Sequence, residues 1–292
     1  MNGRDLIGRY DLFLLDAYGV LVNASGALPH SHAFIQRLID QQVPYYIVTN
    51  DASRLPQKAA AFYQSVGLPI PVERVLTAGL AIEPALEALL ASGEFAARAD
   101  DRSLRCAVLG TADTHEYVRR AGATLIPISD NAEFDALVVG DDSGFDMLPT
   151  LNQLLSALNR MIEHGIKFRL LLANPDLLYP RGQTRFGFTS GALARILEIG
   201  LLQLRPELDL KFEVLGKPTN TLYKMGIARA EVELGRKIEL NQTVMLGDQM
   251  HTDIRGAQGA GIRSALMMTG ITLSRLGASH DKNPPDHILE SL

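Results

Sequence analysis

Apolar runs of strand length alternate with amphipathic segments of helix length along most of this chain. Runs that are apolar throughout are typical of strands buried on both faces of a parallel sheet, and a 3.6-residue period is typical of the helices that cover it. The predicted strands are 11–15, 44–48, 105–109, 134–139, 168–172, 213–215, 243–246 and 264–268. The predicted helices are 32–42, 57–66, 150–164, 190–199, 220–234 and 253–260. This order predicts an α/β fold built on a doubly wound parallel sheet.

Boundaries within this pattern follow from residues that start or stop elements. Segments 91–104 and 202–210 have little periodicity, which predicts junctions there. We therefore expect a core formed by residues 1–79 and 208–292, with an α/β module at 80–207 inserted into it. Ser53 and Thr219 are typical of helix starts. Helix stops are predicted at four glycines, namely Gly67, Gly165, Gly200 and Gly261.

Polar residues follow four of the apolar runs, at the point where each predicted strand ends. Because the carboxyl ends of parallel strands lie at one edge of a sheet, these residues are expected to converge. Each one alone is also a common turn signal, so the prediction depends on the set and its order. The set consists of Asp16 with Tyr18, Thr49 with Asn50, Lys217, and Asp248 with Asp253.

The chemistry of this set indicates a site for a phosphoryl group. Carboxylates without a histidine or cysteine cluster favour a hard cation, Mg²⁺ above all. The cation offsets the repulsion between a phosphate dianion and the carboxylates of Asp16 and Asp248, and Lys217 supplies a fixed positive charge. An aspartate can also attack phosphorus and form an aspartyl phosphate.

Composition narrows the class of partner. The chain has 292 residues and a net charge of −5 with no lysine- or arginine-rich block, which argues against nucleic acid or an anionic membrane surface. Its single cysteine, Cys106, lies in an apolar run and is expected to be a buried thiol. No apolar run is long enough to span a bilayer, and the N-terminus lacks the apolar segment of a signal peptide. We expect a cytoplasmic protein.

The motifs resemble those of the haloacid dehalogenase-like (HAD) hydrolase superfamily, more narrowly its class IIA branch of NagD-type sugar and nucleotide phosphatases. The resemblance covers nearly the whole chain and implies a Rossmann-like core with an inserted α/β cap. The segments that carry it are 16–21, 49–54, 216–218, 247–254, 259–266, Thr269 with Gly270, and, within the insert, 173–176 with Pro180.

The resemblance also implies a role for each matching residue. Asp16 is expected to be the nucleophile, while Thr49 and Lys217 hold the phosphoryl group. Mg²⁺ is expected to bind Asp16, Asp248 and the backbone carbonyl of Tyr18. Two further roles are expected to lie around these groups: Asp253 supports the metal from behind its ligands, and Asn50 and the cap residue Asp176 contact the substrate, a small phosphorylated metabolite. A homodimer formed through the cap is expected from the resemblance alone.

Tyr18 departs from the family pattern. Phosphatases of this superfamily carry an aspartate two residues after the nucleophile, which protonates the leaving alkoxide and then activates water. A phenol, with an ordinary pKa of about 10, is a poor base at neutral pH. We therefore expect a weak phosphatase, or one limited to good leaving groups.

Two alternatives remain open at this point. Tyrosine also occurs at this position in true haloacid dehalogenases, whose leaving halide needs no proton and which use no metal. The same pocket also suits a protein that binds a phosphorylated metabolite without turnover. His251, which lies beside the metal-binding aspartates in the sequence, is also considered as a replacement for part of the lost acid–base function. An imidazole is suited to this role because it gains and loses a proton near neutral pH.

Overall fold

A computed structural model describes residues 1–95, 103–181, 185–271 and 282–292. The strands are β1 (Leu12–Leu15), β2 (Val22–Asn23), β3 (Gly26–Ala27), β4 (Tyr45–Thr49), β5 (Val75–Thr77), β6 (Arg105–Leu109), β7 (Thr124–Leu125), β8 (Ala136–Val139), β9 (Arg169–Leu172), β10 (Leu178–Pro180), β11 (Phe186–Phe188), β12 (Glu213–Val214), β13 (Thr243–Gly247), β14 (Arg263–Met267) and β15 (His287–Leu289). The helices are α1 (Ser31–Asp40), α2 (Pro56–Ser65), α3 (Ile82–Ala91), α4 (Ala112–Arg120), α5 (Met147–Glu163), α6 (Ser190–Leu204), α7 (Thr221–Leu234) and α8 (Arg255–Gly259), with a π-helical segment, Met250–Ile254, directly before α8.

The main sheet is parallel throughout and has the strand order β15-β14-β13-β1-β4-β5. Its central strands are buried on both faces. Along β1, Leu12 and Leu14 belong to one hydrophobic cluster, whereas Phe13 and Leu15 belong to the cluster on the other side. The continuous apolar runs therefore correspond to central strands, and the predicted doubly wound α/β architecture is confirmed.

A second parallel sheet, β12-β9-β8-β6-β7, forms the insert together with helices α4, α5 and α6. A hydrophobic cluster shared by both sheets joins the insert to the core; it includes Val48 from the main sheet and Val108 and Tyr117 from the insert. The division at residues 79 and 207 stays a prediction. Within the described residues β12, at Glu213–Val214, pairs with β9 of the insert.

Several local predictions were wrong. Gly200 lies inside α6 and does not end it, because that helix continues to Leu204 as one face packs on the insert's core. Ser53 and Thr219 do not cap helices: α2 is preceded by Leu55 and α7 by Asn220, and the Thr219 hydroxyl donates to the carbonyls of Leu215 and Gly216.

The predicted junction at 91–104 lies partly outside the described residues, since 96–102 are not among them. Helices α3 and α4, on either side of that gap, were not predicted. No helix in the described parts of the chain is long and apolar enough to cross a membrane.

Candidate active site

Three of the four predicted strand-end groups converge at one edge of the main sheet, whereas Lys217 follows β12 of the insert's sheet and reaches Asp16 from there. Asp16 follows β1, Thr49 ends β4 and Asp248 follows β13, and these three strands are neighbours in the order β13-β1-β4. All three side chains are buried. The sheet therefore gathers residues that are far apart in sequence into one site.

Lys217 lies at the base of the site, with only 1% of its surface exposed. Its Nζ donates to Asp16 Oδ1 at 2.6 Å and to Asp253 Oδ1 at 2.6 Å. Burial by itself lowers the pKa of Lys217, but the adjacent carboxylates of Asp16 and Asp253 raise it well above its ordinary value. The ammonium is therefore a permanent positive charge beside Asp16.

Asn50 fixes the backbone that carries this lysine. The Lys217 N–H donates to Asn50 Oδ1 at 2.8 Å, and Asn50 Nδ2 donates to the Lys217 carbonyl at 3.1 Å. The same Nδ2 lies 3.2 Å from Asp176 Oδ1 of the insert. Sequence reasoning placed Asn50 on the substrate; the structure adds that its side chain orders Lys217 and reaches the insert.

Three carboxylates, those of Asp16, Asp248 and Asp253, offer oxygen atoms within 4.8 Å of one another. The Ile271 N–H donates to Asp248 Oδ2 at 2.7 Å, while Asp248 Oδ1, although buried, has no hydrogen-bond partner in the described part of the chain. A buried carboxylate oxygen left unpaired is costly, so this atom is suited to a cation. The donor set is all oxygen, as Mg²⁺ prefers.

The pKa values reflect the same crowding. Burial raises the pKa of Asp16 to about 7, with Lys217 opposing the rise. Burial also raises the pKa of Asp248 well above its ordinary value, and the charges of Asp16 and Asp253 add to that effect. A cation bound among these groups favours their ionised forms.

Two glycines pack directly against Asp248. A Cβ on Gly270 would lie 1.8 Å from Asp248 Oδ2, and a Cβ on Gly19, whose φ is +88°, would lie 2.5 Å from the same atom. The chain can close around this carboxylate only because side chains are absent at both positions. The role of the neighbouring Tyr18 carbonyl as a metal ligand stays a prediction.

Above these buried groups is a cleft of about 270 Å³ between the core and the insert. Tyr18 is half-buried in its wall, and the partly buried Asp176 reaches it from the insert. Burial raises the pKa of Asp176 to about 6. The lining residues are Asp16, Tyr18, Thr49, Asn50, Asp51, Ser53, Arg54, Asp141, Asp142, Ser143, Asn174, Asp176, Leu178, Tyr179, Thr189 and Gln249.

Sequence reasoning missed two parts of this cleft. Asp141 and Asp142 follow β8 of the insert, and burial raises the pKa of Asp141 to about 6. The strand-end rule used for the core would have found them, had it been applied to the insert. Arg54 also lines the cleft, with its Nη1 at 3.5 Å from the Tyr18 hydroxyl oxygen. His251, considered as a base, is exposed and is not among the described lining residues.

This arrangement is suited to nucleophilic substitution on an anionic substrate. A buried carboxylate, Asp16, faces the cleft beside a fixed ammonium and a cluster that can hold a divalent cation. Positive charges of this kind stabilise negative charge that develops on a substrate during reaction.

Two family models match separate parts of this chain. A family model described as haloacid dehalogenase-like hydrolase matches residues 13–124, and a second, described as HAD-hydrolase-like, matches residues 214–292. The matched regions contain the residues that follow β1, β4 and β13, together with Lys217.

Relatives align over nearly the whole chain. The 5'-nucleotidase YutF of Bacillus subtilis is 26% identical over 97% of this chain and 96% of its own length. Ribonucleotide monophosphatase NagD of Escherichia coli is 22% identical over 89% of this chain and 88% of its own. Among solved structures, a possible sugar phosphatase of the HAD superfamily from Cytophaga hutchinsonii has a TM-score of 0.79 and 27% identity, covering 100% of this chain and 97% of that one.

Proposed function

This chain belongs to the haloacid dehalogenase-like hydrolases, in the NagD-like class IIA branch, and we propose from this premise that it is a Mg²⁺-dependent phosphatase of small phosphate monoesters. By enzyme class, the chain is a phosphoric monoester hydrolase. We further propose that the reaction proceeds through an aspartyl phosphate on Asp16, with a sugar phosphate or a nucleotide as substrate.

The observation that carries the proposal is the contact between Asp16 and Lys217 at the base of a cleft. Asp16 lines the cleft, so a substrate can reach its carboxylate, whereas Lys217 Nζ holds Asp16 Oδ1 from behind at 2.6 Å. The buried, unpartnered Asp248 Oδ1 lies in the same carboxylate cluster. A phosphoryl group placed against Asp16 would meet positive charge at the base of the cleft.

The reaction then has two steps at one residue. An Asp16 carboxylate oxygen attacks phosphorus, and the ester P–O bond breaks with its electron pair passing to the leaving oxygen. Water next attacks the aspartyl phosphate, which releases phosphate and restores the carboxylate. Lys217 stabilises the added charge, and Thr49, buried at the end of β4, lies where it can hold a phosphoryl oxygen.

The metal fits the residues present. Asp16, Asp248 and the backbone carbonyl of Tyr18 would hold Mg²⁺, and Asp253 would support the site, since it accepts from Lys217 Nζ and from the Gln249 N–H. When bound there, Mg²⁺ supplies the positive charge that offsets repulsion between the carboxylates and a phosphate dianion. This fit favours the phosphatase over the dehalogenase alternative, which needs no metal.

Tyr18 sets the limit on rate. The phenol replaces the carboxylate that would protonate the leaving alcohol and activate water, a function that contributes about 10² to 10⁴ in rate. We therefore propose weak turnover, with a kcat/KM that depends strongly on the leaving group.

Phosphate release from sugar phosphates, nucleotides and aryl phosphates, measured with Mg²⁺ or EDTA, tests the proposal. The matched variants are Asp16→Asn and Asp11→Asn; Asp11 is a surface carboxylate paired with Arg236. We expect release that needs Mg²⁺, is lost in Asp16→Asn and is kept in Asp11→Asn. No release from any ester, with Mg²⁺-dependent binding of an ester intact, would leave a binding protein instead.

A further inference from the structure

Arg54 is the one lysine or arginine among the described residues that line the cleft. The same lining contains five aspartates, at positions 16, 51, 141, 142 and 176. Lys217 cannot balance them, because it is buried behind Asp16 and its ammonium is already bonded to two carboxylates. Among the described lining residues, an anionic substrate that enters the cleft therefore meets one positive charge at the wall, the guanidinium of Arg54.

The guanidinium is held in place by a single long ion pair. Its Nη1 lies 3.3 Å from Asp51 Oδ2 and 3.5 Å from the Tyr18 hydroxyl oxygen, and its Cζ lies 5.0 Å from the centre of the Phe62 ring. Arg74, by contrast, makes two short bonds to Glu233, at 2.5 and 2.6 Å. Arg54 thus keeps N–H donors for a ligand.

Asp51 positions Arg54 more than it neutralises it. The other oxygen of Asp51, Oδ1, accepts from the Ser53 N–H at 2.7 Å and from the Ser53 hydroxyl at 2.6 Å. This turn fixes the carboxylate, and the carboxylate makes one long bond to the guanidinium. An oriented donor of this kind has little to reorganise when charge appears in front of it.

The depth of each group decides which half of the substrate it meets. Lys217, Asp248 and Asp253 are buried at the base, whereas the Arg54 side chain is 37% exposed at the mouth. A phosphoryl group bound at the base directs the rest of the ester towards the mouth, past Tyr18 and Arg54.

We propose that Arg54 is a catalytic residue that binds the leaving-group side of the ester and stabilises the negative charge developing on the leaving oxygen. The inference rests on the proposed function. As Asp16 bonds to phosphorus, the ester P–O bond breaks and its electron pair passes to the leaving oxygen. The N–H groups of Arg54 donate to that oxygen until it takes a proton from water. Arg54 thus partly compensates for the carboxylic acid that Tyr18 replaces.

The test compares Arg54→Met with Arg120→Met on esters of graded leaving-group acidity. Arg120 is a close match, 41% exposed with one 3.3 Å bond to Glu116, and it is not among the described lining residues. The substrates run from nitrophenyl phosphates through phenyl phosphate to an alkyl phosphate, with kcat/KM as the readout. We expect Arg54→Met to lose on the order of 10²-fold on the alkyl ester and much less on the nitrophenyl esters, with Arg120→Met unchanged throughout.

A double-mutant cycle with Tyr18→Phe separates direct contact from action through the phenol. If Arg54 contacts the leaving oxygen, the loss of kcat/KM caused by Arg54→Met still depends on the leaving group when Tyr18 is replaced by Phe. The proposal for Arg54 is overturned if this dependence disappears in the Tyr18→Phe variant, or if Arg54→Met loses the same factor on every ester. Either result leaves the proposed phosphatase activity intact. Wild-type protein that hydrolyses no ester overturns both.

Discussion

Tyr18 is the residue on which we expect the rate of this enzyme to depend most. It follows Asp16 by two positions and lies half-buried in the cleft wall, within reach of Arg54. Its side chain carries a phenol hydroxyl at the position where the family pattern has a carboxylic acid. The resemblance to the HAD motifs predicts this substitution from the sequence alone, because motif spacing fixes the position. The contact with Arg54 could not be predicted, since it joins side chains from loops after two different strands.

Restoring the carboxylate should raise turnover. We expect Tyr18→Asp to increase kcat/KM on an alkyl phosphate on the order of 10²-fold, because a carboxylic acid can protonate the leaving oxygen. Nitrophenyl esters, whose leaving groups need no proton, should gain less. The kcat/KM values on both esters check this, and an equal gain in kcat/KM on both would argue that the tyrosine acts through bulk alone.

Asp176 should make stability depend on pH. Folding raises its pKa from 3.8 to about 6, mainly through burial. The unfolded carboxyl therefore ionises before the folded one as pH rises, and the folded state is progressively disfavoured between about pH 4 and 6. The full effect is at most about 3 kcal/mol, and access of water to the cleft reduces it to about 1–2 kcal/mol.

Asp176→Asn removes this penalty. We expect the variant to unfold at higher urea than wild type above about pH 6, and the two proteins to become alike near pH 4. Urea unfolding with EDTA at both pH values measures this difference. Asp209→Asn, at an exposed carboxylate, is the control and should show no such trend. A pH-independent difference for Asp176→Asn would contradict the account.

At the scale of elements, the loop after β4 is bonded to helix α4 of the insert. The Thr111 hydroxyl donates to the Ser53 carbonyl at 2.6 Å, and the buried Tyr117 hydroxyl donates to the Arg54 carbonyl at 2.9 Å. This loop carries Asp51 and Arg54, so α4 helps to place cleft residues of the core. The insert therefore shapes the active site from outside the cleft as well as lining it.

Sequence patterning identified the central strands of both parallel sheets, whereas it missed the edge strands β5, β7 and β15 and the helices α3 and α4. β1, β4 and β13 have the continuous apolar runs that are typical of central strands. α4 was missed because it has few apolar residues: its buried face includes the polar Asp113 and Thr114, which bond to the core. Their burial results from packing of the insert on the core, which no local pattern encodes.

Tyr117→Phe tests the link between α4 and the cleft. The hydroxyl also bonds to Thr77 Oγ1 at 2.7 Å, so its loss leaves buried partners unpaired and should cost about 1–3 kcal/mol of unfolding free energy. Tyr46→Phe is the control, because its hydroxyl makes one longer bond, 3.2 Å, to Glu233. Denaturant unfolding compares the two variants, and equal costs would contradict a special role for Tyr117.

At the scale of the whole molecule, one hydrophobic cluster joins the main sheet to the insert, and the cleft lies between these two parts. The proposed catalytic residues come from the core, while much of the cleft wall comes from the insert. The fold class could be predicted because strand alternation and motif order agree along the chain. The substrate could not be predicted from the sequence, because the shape of the cleft wall depends on how the insert packs on the core. The homodimer stays a prediction.

The central claim is a covalent phosphoryl group on Asp16. Since Tyr18 is a poor base for activating water, the aspartyl phosphate should accumulate during turnover. Protein mixed with Mg²⁺ and a nitrophenyl phosphate, quenched in acid and digested, should yield a peptide containing Asp16 that has gained one phosphoryl group. The label should be absent with EDTA and in Asp16→Asn. Continued phosphate release from wild-type protein with no label on that peptide would contradict the account.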